Sequence, residues 1–240
     1  MRNILAFAVG GIVVLGAAVA LYNGISTPTS VPKEKSQIAA VNSVQQQPND
    51  ESLPNPDFKF GEISVTSTDL VVGKQDAPVT IIEYSSLTCP HCANLHKNVL
   101  PIIKKEFLEK GRVRFIYRDF PLDQWALRAA MIARCAGPSR RYSFIETFFK
   151  NQENWTSGDP MAGLKALAKL GGLTNEQVNA CLADTKISEQ VIAERLSGSE
   201  KYSIKSTPTI FINGDQYSGG LSVNNMRAVI NGKLRSNQGK

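Results

Sequence analysis

Two cysteines two residues apart, Cys89-Pro90-His91-Cys92, carry the clearest chemical signal in this chain. At that spacing the sulfurs meet in a disulfide across a first helical turn. The motif follows a β-branched run, Val79-Thr80-Ile81-Ile82-Glu83-Tyr84, and precedes a helical pattern that runs towards Leu108. A cysteine at such a boundary faces unpaired backbone N–H groups and the positive end of the helix dipole. Both favour thiolate over thiol, so Cys89 is expected to be acidic, exposed and nucleophilic. His91, when protonated, adds a donor and a charge beside the same sulfur. Stabilising the thiolate stabilises the reduced protein, which makes the disulfide more oxidising. Each pKa unit below ambient pH is worth about 1.4 kcal/mol, or roughly 30 mV for a two-electron couple. Cys92, one turn into the helix, is expected to be shielded and to act as the resolving thiol.

Other chemistry for these residues fails on particular points. Haem attachment needs histidine directly after the second cysteine, and position 93 is Ala93. Zinc could recruit Cys89, Cys92 and His96, but no fourth ligand is evident. His91 is the only other histidine, and Cys135 and Cys181 are distant in sequence. A purely structural Cys89–Cys92 bridge would close too short a loop to remove much unfolded-state entropy. Neither a metal nor an organic cofactor is expected; the redox group is the Cys89–Cys92 disulfide itself.

The elements that must position the pair are legible from periodicity. Val79 to Tyr84 reads as a central strand buried on both faces. A helix follows from about Cys92, with Pro101 kinking it by removing a backbone donor. Val113 to Arg118 is a second strand. Helical pattern then fills Asp123 to about Ser197, in pieces at Trp125–Ala136, Ser143–Lys150, Met161–Leu170, Asn175–Leu182 and Ser188–Leu196. Thr209 to Ile212 is a third strand, Asn213-Gly214-Asp215 turns it into a short partner around Gln216-Tyr217, and a last helix fits Val223–Leu234. His96 reads as a residue that packs or caps on a helix surface.

The chain has 240 residues, 42% of them hydrophobic and 20% charged, with a net charge of +6. That describes a globular protein with a sizeable core, neither disordered nor fibrous. Four cysteines are too few for a disulfide scaffold that replaces a core. The basic residues are scattered without aromatic interleaving, so nucleic-acid binding is not expected. Ile4 to Tyr22 contain no charged side chain. As a helix they would span about 28 Å, close to a hydrocarbon core of about 30 Å. Residues 1–23 therefore read as a retained membrane anchor or, given Ala18-Val19-Ala20, a cleaved signal peptide; both export the chain. Residues 24–57, rich in proline and polar side chains, read as a flexible linker. The folded domain is expected over residues 58–240.

Taken together, these residues resemble the DsbA family. The resemblance rests on Ala77-Pro78-Val79-Thr80-Ile81-Ile82-Glu83-Tyr84, Cys89-Pro90-His91-Cys92, Arg118-Asp119-Phe120-Pro121-Leu122 and Ser206-Thr207-Pro208-Thr209-Ile210-Phe211-Ile212-Asn213-Gly214, in order and spacing over about residues 62–235. It implies an α/β, thioredoxin-like fold with an inserted all-helical subdomain at about 122–198, and an exported thiol–disulfide oxidoreductase. Carried over by residue, Cys89 attacks and links to substrate, Cys92 resolves, and His91 tunes the potential. Pro208 is the cis proline beside the active site. The backbone of Thr207 pairs with the bound peptide, with Pro90 also at the substrate surface. Glu83 matches the family's buried acid near the resolving cysteine, where an ionised carboxylate is costly and a proton-relay role follows.

Two features depart from the best-known members. Those carry valine before the cis proline, and Thr207 leans towards isomerase relatives. Cys135 and Cys181 form an extra pair in the insertion, expected to be joined as a structural bridge in an oxidising compartment. The reading is a dithiol oxidase of the periplasm or another extracytoplasmic space, monomeric, and anchored to the inner membrane if its first helix is kept. It would act on unfolded exported proteins with free thiols and be reoxidised by a DsbB-like membrane quinone reductase. An isomerase or reductase is the nearest alternative. A peptide-holding, chaperone-like module with an incidental Cys-x-x-Cys is the alternative of another class.

Overall fold

The computed structural model describes residues 63–238. The expected anchor or signal, the linker and the first residues of the folded domain lie outside the described residues. Among the described residues no helix is long and apolar enough to cross a membrane.

Two seven-residue runs, Val79–Ser85 (β2) and Val113–Asp119 (β3), make the centre of the sheet and lie parallel, with Val79 opposite Val113 and Ser85 opposite Asp119. Leu70–Val72 (β1) pairs antiparallel with β3. Thr209–Ile212 (β4) pairs antiparallel with β2 and Asp215–Tyr217 (β5) with β4, giving the order β1-β3-β2-β4-β5. Alternation sorts the strands onto two cores. Val79, Ile81, Phe115, Tyr117, Ile210 and Ile212 share the larger one, and Ile82, Tyr84, Ile116 and Phe211 the smaller. Both faces of β2 are therefore covered, which is why its sequence lacks a polar stripe. Tyr84 stands opposite Thr209, so the chain leaves β2 and starts β4 at the same end of the sheet. Strand β1 was not legible beforehand; three residues are too few to show a period.

After β2 a helical rod runs from Pro90 to Leu108. It alternates α-helix at Pro90–Asn94 (α1), π-helix at Leu95–Val99, α-helix at Leu100–Ile103 (α2) and π-helix at Lys104–Leu108. Pro101 was expected to kink a continuous helix. The α-helix is interrupted there by a π turn, and the proline sits in the first turn of α2, where its missing N–H is least costly.

The insertion holds Gln124–Cys135 (α3), Pro138–Lys150 (α4), Gln152–Thr156 (α5), Pro160–Leu170 (α6), Asn175–Ala183 (α7) and Thr185–Tyr202 (α8). Val223–Gln238 (α9) closes the chain. Asp123, Asp159 and Asp184 cap three of these helices by accepting two backbone N–H bonds each, and Thr174 and Gln177 form a capping box. Helix α4 starts five residues earlier than its apolar pattern suggests, because Gly137 takes φ +84° and presents Pro138 as the first helical residue. Helix α8 runs through Gly198 to Tyr202, beyond the Leu196 end that periodicity predicts. The glycine is there for packing, since a Cβ would meet the Tyr84 ring at 2.7 Å. Among the described residues, α5 had no counterpart in the sequence reading.

The insertion is tied to the sheet where β3 ends. Asp119 accepts bonds from Arg134 and Arg141 at 2.8 Å each, and its own N–H donates to Glu194 at 2.6 Å. Within the insertion a disulfide joins Cys135 of α3 to Cys181 of α7, 46 residues apart. Replacing both by alanine is expected to lower the unfolding free energy by about 4 kcal/mol, the chain-entropy value for a loop of this length. Urea unfolding of the two proteins measures this. A loss below about 1 kcal/mol would mean the bridge constrains an unfolded chain that is already compact.

Candidate active site

The loop from β2 to the rod is short and internally bonded. Cys89 N–H donates to Ser86 O at 3.0 Å, and the Ser86 and Thr88 hydroxyls lie 3.1 Å apart. Pro90 is the first helical residue, so Cys89 occupies the capping position, and its carbonyl accepts the Ala93 N–H at 3.1 Å. Pro90 and His91 are exposed at the mouth of the site. Cys92 is fully buried. Both cysteines are free thiols in this structure.

From the other side comes the turn before β4. The Thr207–Pro208 peptide is cis, and the Cys89 thiol donates to Thr207 O at 3.2 Å. That turn corrects one expectation. Cys89 is only 6% exposed, not freely accessible, because a helix start alone would leave it open but Thr207-Pro208 lies against it.

The two sulfurs have opposite electrostatics. Cys89 is held down to about 5, chiefly by the Cys92 thiol donating to its sulfur. Partial burial opposes this, and the Thr207 hydroxyl and the N–H groups of Cys92 and His91 add to it. From His91 it is the backbone amide that meets the sulfur. The Thr207 hydroxyl is buried without a partner while Cys89 is a thiol; a thiolate supplies the missing acceptor. Cys92 is pushed up, first by burial, then by its neighbour Cys89 and by the charge of Glu83. One opposing influence is Ser85, whose hydroxyl is also buried and unpartnered.

Glu83 is fully buried. It is on the same side of β2 as Val79 and Ile81, beneath the helical rod. Its Oε2 is hydrogen-bonded to His96 Nε2 at 2.9 Å, and its Oε1 has no partner. His96 was expected on the helix surface. Instead it is buried, stacked on Phe149 with ring centroids 4.2 Å apart. The signal was present in the sequence, since position 96 lies one turn beyond Cys92 and shares its inward face. Tyr117, opposite Glu83 on β3, buries its hydroxyl beside the same group.

Two further residues were missed. Ser85 carries no motif that marks it. Gln152, from α5, is buried and donates its amide to Leu87 O at 2.8 Å and Cys89 O at 3.0 Å; an isolated glutamine between helices offers no pattern to find. Cys135 and Cys181 are brought to each other within the insertion. Among the described residues no three His, Cys, Asp or Glu side chains converge as a metal site. Chemically, the arrangement offers one acidic sulfur just beneath the surface, one fully buried sulfur pushed towards its thiol form, and a carboxylate next to the second.

Comparison with known proteins agrees with this chemistry. The family profile described as Thioredoxin matches residues 65–232. A Rickettsia bellii protein named as a protein-disulfide oxidoreductase is 29% identical over 189 residues, covering 77% of this chain and 73% of that one. Disulfide bond formation protein D of Bacillus subtilis is 28% identical over 160 residues, 60% of this chain and 67% of that one. The crystal structure of Wolbachia pipientis alpha-DsbA1 superposes with a TM-score of 0.68 at 28% identity, covering 72% of this chain and 94% of that one.

The acidity of Cys89 makes a pH prediction with a definite sign. A thiol lowered to about 5 in the folded, reduced protein and near 9.0 when unfolded adds stability that is complete above 9 and disappears as pH falls through 5. The reduced protein is therefore expected to gain stability over the oxidised protein as pH rises from 5 to 9. Parallel denaturant titrations of the two forms measure it, and a pH-independent difference would mean that Cys89 titrates like an ordinary thiol.

Proposed function

Because the chain belongs to the thioredoxin family, in its DsbA-like branch, and is a protein-disulfide oxidoreductase, we propose that Cys89 and Cys92 form its redox centre and that it donates disulfides to exported proteins. The observation that carries this reading is the contrast between the two sulfurs. Cys89 is lowered to about 5 by donors from both sides of the site, while Cys92 is pushed up.

In the oxidised enzyme a substrate thiolate attacks Cys89 Sγ. The Cys89–Cys92 bond breaks, Cys92 leaves with the electron pair, and a mixed disulfide joins substrate to Cys89. Cys92 takes up a proton as its thiol, its favoured form in this buried site. The substrate's second thiolate then attacks its own sulfur in the mixed disulfide, and Cys89 leaves as a stabilised thiolate. The substrate has lost two electrons and the enzyme has gained them. A low-pKa sulfur is a good leaving group in that last step, so the feature that sets direction also sets rate.

Glu83, with one carboxylate oxygen unpartnered and Cys92 above it, exchanges the Cys92 proton. Pro90, the cis Pro208 and the backbone of Thr207 form the surface against which an extended substrate lies. His91 tunes the potential from the mouth of the site. Reoxidation falls to a DsbB-like membrane quinone reductase, and the setting is the cell envelope, with residues 1–23 directing export. The chain acts as a monomer without cofactor or metal. A second reading, as an isomerase or reductase, rests on Thr207 being the residue that isomerase relatives carry before the cis proline, where the best-known oxidants of the family have valine; its hydroxyl donor by itself favours the thiolate and so the oxidase reading.

Equilibration with glutathione buffers separates the two. A potential well above the glutathione couple is expected; one near thioredoxin's, roughly −270 mV, would sink the oxidase reading. Cys92→Ala, first loaded on Cys89 as a mixed disulfide with glutathione, is expected to exchange with a reduced substrate protein, releasing glutathione and accumulating the substrate mixed disulfide on Cys89 alone by peptide mapping. A peptide-holding module predicts no such adduct.

Glu83→Gln tests the proton path. The attack of Cys92 on a preformed Cys89 mixed disulfide is expected to slow on the order of tenfold or more, read by stopped flow at neutral pH. An unchanged rate would leave Glu83 a packing residue.

A further inference from the structure

Gln152 belongs to the helical insertion, yet its side chain ends on the loop that carries the redox pair. It is 4% exposed. Its Nε2 reaches Leu87 O at 2.8 Å and Cys89 O at 3.0 Å, so both amide protons are engaged. The reverse amide orientation would turn Oε1 towards two carbonyl oxygens, three acceptors with no hydrogen between them, and the contacts thereby fix the orientation. The Cys89 carbonyl also accepts the Ala93 N–H that opens the first helical turn. It therefore belongs to the peptide immediately before the His91 and Cys92 amides, the two that meet the Cys89 sulfur. Adjacent contacts keep α5 in place. The Thr156 hydroxyl donates to Gln152 O at 2.8 Å, and Glu153 pairs with Lys97 of the rod at 3.2 Å.

We propose that Gln152 is a positioning residue for the thiol chemistry. By holding the Leu87 and Cys89 carbonyls, it sets the orientation in which the His91 and Cys92 amides point at the Cys89 sulfur, and so links the helical insertion to the reactivity of the nucleophile. This rests on the assignment of Cys89 as the attacking sulfur. The chemistry of the spot selects the residue type. Two buried carbonyl oxygens need two N–H donors on one neutral group. Leucine leaves both carbonyls without that donor. A glutamate can donate one bond while protonated and none once ionised.

The test uses the full chain as wild type, Gln152→Leu and Gln152→Glu. The readouts are the pH profile of Cys89 alkylation, assigned by peptide mapping, and the equilibrium with glutathione. For Gln152→Leu the Cys89 midpoint is expected to rise by about one pH unit, a tenfold loss of thiolate below the midpoint. The glutathione equilibrium is expected to move about tenfold towards the enzyme disulfide, in step with the midpoint. For Gln152→Glu the alkylation rate relative to wild type is expected to be lowest between the wild-type and variant midpoints and to recover above them, because an ionised carboxylate facing two carbonyl oxygens raises the Cys89 midpoint.

A Gln152→Leu protein that unfolds cooperatively yet keeps both readouts within twofold of wild type overturns the proposal. If that variant does not fold, the Gln152→Glu profile decides, and a pH-independent ratio to wild type overturns it equally. If the wild type itself shows no acidic midpoint at Cys89, the assignment of the attacking sulfur fails first and the proposal goes with it. That outcome is visible before any variant is compared.

Discussion

The acidity of one sulfur, Cys89, is the constraint on which the rest of the site depends. Burial alone would push Cys89 up, as it pushes Cys92 up, so its acidity depends on donors that outweigh desolvation. They come from separate parts of the chain. The Cys92 thiol and the His91 and Cys92 amides belong to the local motif, but Thr207 lies 118 residues further on. Only the sheet can deliver it. Antiparallel pairing of β2 with β4, with Tyr84 opposite Thr209, puts the exit of one strand beside the start of the other. The redox loop and the cis-proline turn then meet at one end of the sheet. The parallel β2–β3 pair and the helical rod supply the buried floor beneath.

The same site holds most of the structure's unpaired polar atoms. Among the described residues six buried side-chain atoms lack a partner, and four of them, on Glu83, Ser85, Tyr117 and Thr207, border the two cysteines. Such atoms are costly when left alone, and their clustering here means they are not random packing faults. In the proposed exchange each borders a group whose charge or proton changes. A hydroxyl without a partner beside a thiol gains one when that thiol becomes a thiolate. The Thr207 hydroxyl is thus unpaired beside the thiol and paired beside the thiolate, which favours the ionised reduced form over the protonated one.

How much of this was legible in the sequence follows from how local each feature is. Cys89 and Cys92 announce themselves because residue type and spacing carry their meaning, whereas the Thr207-Pro208 turn was placed by its resemblance to the DsbA family. Glu83 could be placed by strand alternation, since it shares parity with Val79 and Ile81. His96 was misread because its polarity was weighed above its helical phase, although one turn from a buried cysteine is an inward position. The burial of Cys89 was missed for a different reason, that it depends on a turn distant in sequence. Gln152 and Ser85 had no pattern at all, because their partners are backbone carbonyls and a sulfur whose positions only the tertiary fold defines.

The helical insertion therefore cannot be treated as a lid added to a finished active site. Phe149 stacks on the histidine that pairs with Glu83, and Gln152 holds the carbonyl of Cys89, so two residues of the insertion complete the surroundings of the redox pair. Its own rigidity comes from elsewhere, from the Cys135–Cys181 bridge between α3 and α7 and from Asp119 gripping Arg134 and Arg141 at the end of β3. Asp119 stands opposite Ser85 in the parallel pair, the last paired residue before the redox loop. The anchor of the insertion and the loop it supports thus leave the sheet at neighbouring positions. An insertion fixed there can hold backbone carbonyls at hydrogen-bond distance, whereas one joined only by flexible connections could not, and the acidity of Cys89 would depend on its drift.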